Sequence, residues 1–144
     1  MPTDDVNARI LVRLWDVAEG LQHRVQAEIG RRTECTLKQF RTLQLLESTL
    51  ENVSPTALAR RLSCSKASVS EHLHVLRSQG WLRLAPEFSD GRSTILRVTD
   101  GGRLACEAYA RALADAARPQ LEALDVEEKQ RLATILRKLA LARR

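Results

Sequence analysis

Aromatic side chains are scarce in this 144-residue chain, where Phe, Tyr and Trp together make up 3%. The interior must therefore be built from Leu, Val, Ile and Ala, which favours packed helices over a sheet sandwich. Cysteine is limited to Cys35, Cys64 and Cys106. They are too few and too scattered for a disulfide framework, and no Cys-x-x-Cys or Cys/His cluster at metal spacing exists. There is no Gly-rich phosphate loop and no nucleophile–base motif, so neither an enzyme nor a cofactor is expected. No apolar run is long enough to span a bilayer. The opening MPTDDVNARI, acidic and then polar, is no signal peptide. A cytoplasmic protein without a membrane partner is expected.

What is present is charge, unevenly placed. The chain is the size of one domain and carries a formal net charge of +5. Residues 1–53 hold seven basic and eight acidic residues, whereas residues 54–103 hold eight basic and four acidic. Residues 104–144 hold eight and six. The middle of the chain is thus the part suited to a polyanion.

Helical periodicity runs through both ends. Ile10, Leu14, Val17, Leu21, Val25 and Ile29 recur at three and four, widened by Leu11, Trp15 and Ala18, which predicts a helix over residues 6–30. So broad an apolar stripe has more surface than one small domain covers, and a dimer interface is the reading adopted. Thr36 is placed to cap a helix over 37–48 with Phe40, Leu43 and Leu46 inward. Near the other end, residues 100–117 form an Ala-rich helix that Pro119 is expected to break or kink. Asp125 and Glu128 then resemble a capping box before Leu132, Ile135, Leu136 and Leu139.

The stretch 54–80 organises the rest. Ser54 followed by Pro55 is a helix start, and Leu58 and Leu62 form its inner face. Ser63 and Cys64 break that helix. Ser65 caps a second one with Val69, Leu73 and Leu76 inward, and Gly80 ends it. The outer face of this second helix is short and polar near its start, where a helix entering a major groove needs close approach. Residues 81–84 and 95–98 then alternate as two short strands around the turn chemistry of Pro86, Asp90 and Gly91. Thr99 caps the helix that follows. A helix-turn-helix running into a two-stranded hairpin is a winged helix. The expected fold is mainly α, with six helices and a two-stranded β-wing.

With these residues in place, the sequence resembles the MarR family of bacterial transcription regulators. The resemblance is carried by Leu58-Ala59, Ser68-Val69-Ser70, Leu76 with Gly80-Trp81-Leu82, Asp90-Gly91-Arg92, and Val98-Thr99 with Gly102. It covers roughly residues 30 to 144, and the Asp-x-Arg wing before Val-Thr-x-x-Gly is its most specific part. It implies one MarR-like domain over 1–144. A winged-helix lobe would occupy 36–99, and helices at 6–30 and 100–144 would intertwine two copies into a homodimer. The partner would be a pseudo-palindromic double-stranded operator. Its contacts are expected from Ser65, Lys66, Ser68, Ser70, Glu71 and His74 on the second helix, with Ser68 and Glu71 as base readers. His72 leans toward the core and is read as structural. Arg92 in the wing is expected to reach a minor groove, where narrow-groove potential favours arginine. Glu71 stands where the family often has Arg, and can accept from a cytosine amino group or pair with a neighbouring Arg.

The resemblance also implies a small effector, such as an aromatic acid, that releases DNA. Its expected lining is Trp15, His23, Arg24 and Phe40. Two other readings stand beside this one. The first is a thiol-redox regulator of the same fold: relatives that sense peroxide do so through a cysteine in the first helix, which here has none between Ile10 and Ile29. The second is a winged helix that binds proteins without DNA specificity. Cys64 is read as a small packed residue in the turn, and Cys35 as an exposed residue of a link.

Overall fold

The computed structural model describes residues 5–49, 53–86 and 94–142. In chain order it holds α1 (Val6–Arg32), α2 (Leu37–Ser48), α3 (Pro55–Leu62), α4 (Lys66–Ser78), β1 (Leu82–Pro86), β2 (Thr94–Val98), α5 (Asp100–Leu121) and α6 (Val126–Leu141). The expected mainly helical architecture with one two-stranded antiparallel sheet is the one observed.

The chain divides into two compact units, Ile29–Ala112 and the pair Met1–Glu28 with Leu113–Arg144. In the first, Leu43, Leu46, Leu58, Val69, Leu76, Leu82 and Val98 form one aliphatic core, with Cys64, Leu73, Trp81 and Cys106 packed against it. The helices enclosing this core begin where local chemistry says they should. Ser54 Oγ accepts from Ala57 N at 3.1 Å with Pro55 in the first turn, and Ser65 Oγ accepts from Ser68 N at 3.2 Å.

The turn between α3 and α4 is closed by two crossed backbone bonds, Ser63 N to Arg60 O and Cys64 N to Ala59 O. They require Ser63 to sit at φ +53°, the left-handed region that usually falls to glycine. The same closure ends α4, where Gly80 takes φ +76° and Trp81 N reaches back to Leu76 O.

The hairpin differs from its expected bounds. Trp81 precedes β1, its N–H already used by Leu76, and the strands run on to Pro86 and Thr94. Leu82 pairs with Val98 and Ala85 with Ile95, and all four are buried. The tip at 87–93, with the expected DNA contact Arg92 and its neighbours Asp90 and Gly91, lies outside the described residues.

In the second unit α1 and α6 carry exposed apolar side chains. Ile10, Trp15, Val17, Ile135 and Leu139 are each about half exposed or more. The Asp125–Glu128 capping box forms in full. Pro119 does not break α5, which continues to Leu121. A proline two residues from a helix end removes a single hydrogen bond, too little to stop the last turn.

Thr99 starts α5 by accepting from Gly102 N at 3.1 Å, while its own N–H donates to Trp81 O at 3.0 Å. This draws the helix start onto the hairpin. A Cβ at Gly102 would collide with the Trp81 carbonyl oxygen and lie 2.8 Å from Val98 Cγ1. Both neighbours are part of the core wall, so Gly102→Ala is expected to destabilise this unit by about 1–3 kcal/mol in a urea titration, with the slope of the transition unchanged.

Candidate nucleic-acid interface

The outer face of α4 is formed by Lys66, Ala67, Ser70, Glu71, His74, Val75 and Arg77, all exposed, while Val69 and Leu76 hold the inner face in the core. Five of the helix residues expected at the interface, Ser65, Lys66, Ser70, Glu71 and His74, therefore share an open surface. Ser68 is different. Expected as a base reader, it is half-buried, and its hydroxyl accepts from Ser65 Oγ at 3.1 Å. The cap holds it at the helix start, so its proton remains free to donate outward while its oxygen is engaged.

Besides its packing in the core, α4 is joined to α2 through polar contacts made by two buried residues of α2, Gln39 and Thr42. Thr36 and Gln39 form a capping box: Thr36 Oγ1 accepts from Gln39 N, and Gln39 Oε1 accepts from Thr36 N at 2.9 Å. The amide end of Gln39, 7% exposed, then donates to Gln79 Oε1 at 3.2 Å, at the C-terminal cap of α4. One turn on, fully buried Thr42 donates its hydroxyl proton to Lys38 O at 2.8 Å. Its single proton spent, Thr42 Oγ1 can only accept from His72 Nε2, 2.9 Å away. That requires the Nε2–H tautomer of His72. Burial, and then the Lys38 charge, lower the His72 pKa, against a smaller opposing effect of the Lys38 backbone. His72 is thus the structural residue its position implied, at the seam between the two helices.

The hairpin adds residues that the expected contacts omit. Arg83 and Arg97 stand directly opposite each other in the ladder. Two like charges so placed repel, and neither has an ion-pair partner among the described residues. The strand periodicity marked both residues; only the register shows that they meet.

The residues expected to line an effector site are divided between the two units. Trp15, His23 and Arg24 lie exposed on α1 in one unit, with Arg24 Nε donating to its own helix at Gly20 O. Phe40 belongs to the other unit and is a core ring, stacked on Tyr109 at 4.6 Å between centroids. Cys35, expected in an exposed link, is buried, and its thiol pKa is pushed up to about 11 by burial and by the nearby Cys106. Such a thiol resists forming the thiolate that oxidation needs. Among the described residues no group of acidic, His and Cys side chains is arranged to hold a metal ion. No described helix is long and apolar enough to cross a membrane.

Comparison with known proteins now bears on this geometry. Residues 35–93 match the model of the MarR family. The comparison with curated proteins yields no match. Among solved structures, a transcriptional regulator of the MarR family from Rhodococcus sp. RHA1 is similar with a TM-score of 0.75 at 14% identity, over 96% of this chain and 98% of that one. The transcriptional regulator BldR from Sulfolobus solfataricus is similar with a TM-score of 0.75 at 21% identity, over the whole of both chains. A cysteine-to-serine mutant of MarR from E. coli, complexed with operator DNA, reaches 0.65 at 24% identity, over 94% of this chain and 99% of that one.

The His72 seam gives a pH signature. A lowered histidine pKa means that the unfolded chain binds the proton first. Its contribution is therefore complete above about pH 6.5 and is lost as the pH falls through that value toward the folded pKa. In parallel urea titrations, the stability difference between the native sequence and His72→Gln should shrink as pH falls from neutral toward 5.

Proposed function

We propose that this chain is a DNA-binding transcriptional regulator, a cytoplasmic homodimer that represses from a pseudo-palindromic operator, a reading supported by the match of residues 35–93 to the MarR family model. The observation that carries the reading is the outer face of α4. It is short-chained and hydroxyl-rich at its first turns, fully open, and held from behind by the buried Gln39 and Thr42 contacts. A rigid helix with small groups at its N-terminal end suits the major groove, and its free N–H groups suit phosphate.

Two further features support the reading. The exposed apolar surfaces of α1 and α6 are what a chain leaves open when a second copy completes its core. The opposed Arg83 and Arg97 would lose their repulsion against a phosphate backbone, and the minor groove is the partner proposed for Arg92, which lies outside the described residues. Ser65, Lys66 and Ser70 would hold phosphates, while Ser68, Glu71 and His74 would face base edges. Half-sites would lie about one helical turn apart. Release by a small effector completes the cycle, and Trp15, His23 and Arg24 on α1 remain residues such a ligand could reach.

The test is a mobility shift with the DNA upstream of the chain's own coding sequence. The native protein should form a selective complex whose affinity falls steeply with salt. Ser68→Glu is the informative variant. Glutamate three residues after Ser65 completes a capping box, so the fold should hold or gain slightly, while a negative charge enters the groove. Selective binding should drop at least about 100-fold, the equivalent of about 3 kcal/mol. Arg83→Ala should instead weaken binding to all sequences alike and reduce the salt slope by about one. Retained operator affinity in Ser68→Glu would remove α4 from the interface. A complex indifferent to sequence in the native protein would leave the reading without support.

A further inference from the structure

The unit Ile29–Ala112 contains a cleft of about 710 Å³ on the side of α2 that bears Arg41 and Gln44. Its walls come from α2, α3, β2 and α5, and none of the residues expected to line an effector site contributes to it. The apolar part is formed by Leu43, Leu45, Leu62, Val98 and Cys106. It contains no aromatic ring, so it offers close aliphatic contact and no stacking surface.

The charges at its rim are unequal. Glu47 is held by Arg103 at 2.9 Å, and Arg103 also pairs with Asp100. Arg41 and Arg61 both line the cleft, and neither has an ion-pair partner among the described residues. The one remaining acid in the wall is Glu107. Among the residues that line the cleft, three arginines stand against two glutamates over an aliphatic floor, at a volume usual for small-ligand sites.

We propose that this cleft binds an aliphatic monocarboxylate, its chain against Leu45, Leu62 and Cys106 and its carboxylate held by Arg41 and Arg61. A guanidinium on each of two different helices gives the carboxylate charge-assisted partners. The chain then occupies apolar surface that otherwise faces water. Because α2 is also joined to α4 through Gln39 and Thr42, a ligand wedged along α2 touches one of the elements that hold α4. That regulatory consequence rests on the DNA-binding reading. The binding itself does not.

Decanoate is the probe, with decanol as its neutral counterpart, on the full chain without DNA. Decanoate should raise the melting temperature in a saturable way. Arg41→Gln/Arg61→Gln changes only exposed side chains, and should weaken decanoate about tenfold while leaving decanol unchanged. Location is read from Cys106. Tryptic peptides separate the three cysteines, and saturating decanoate should slow maleimide labelling of Cys106 without protecting Cys64. Gln44→Trp, an exposed position in the cleft wall, should block decanoate by filling the space. Equal decanoate affinity in the arginine variant overturns the proposal, as does undiminished binding to Gln44→Trp. Decanoate binding as described in a protein that shifts no DNA would uphold the site and remove the regulator reading instead.

Discussion

One buried amide connects the parts of the winged helix. Gln39 closes the first turn of α2 with one end and grips Gln79 at the close of α4 with the other. Both ends are required, because the residue is 7% exposed and an unpaired amide at that depth costs about 1–3 kcal/mol. The start of one helix is thereby tied to the finish of another, forty positions later in the chain. Thr42 and His72 repeat the link one turn along. These contacts add to the core packing of Val69 and Leu76 and to the backbone bonds that close the two ends of α4.

Against this polar seam stands a core with few rings. Leu43, Leu58 and Leu76 are fully buried, and the one aromatic pair among the described residues, Phe40 on Tyr109, joins α2 to α5. Aliphatic side chains pack in many near-equivalent ways, so hydrogen bonds, with their angular demands, supply the uniqueness that packing does not. The same economy shows in Gly102, where the absence of a side chain lets α5 start directly against the Trp81 carbonyl.

Much of this was legible in the sequence because capping is local chemistry. Thr36, Ser54, Ser65, Thr99 and Asp125 each cap the helix that their spacing predicted. The exposure of Glu71 and His74 followed from the period of their helix. What escaped depends on distance along the chain. The grip of Gln39 on Gln79 has no local signature, and the apposition of Arg83 with Arg97 exists only once the register is set. Cys35 reads as a link residue until the fold closes over it. The half-burial of Ser68 escaped for a smaller reason: its hydroxyl is shared with its own cap. The stacking of Phe40 on Tyr109 also lies beyond local patterning, since the two are far apart in the chain.

The left-handed serine at the α3–α4 corner has a consequence for the unfolded chain. A glycine there would relieve about 1–2 kcal/mol of steric cost in the folded corner. It would also free the denatured polypeptide to wander through more conformations, an entropy worth about 0.4–1 kcal/mol in the opposite sense. Serine therefore trades comfort in the native corner for a narrower disordered ensemble. The bend is kept by the crossed amide bonds and by the thiol of Cys64 tucked beneath it, and owes little to the intrinsic taste of the residue at its apex.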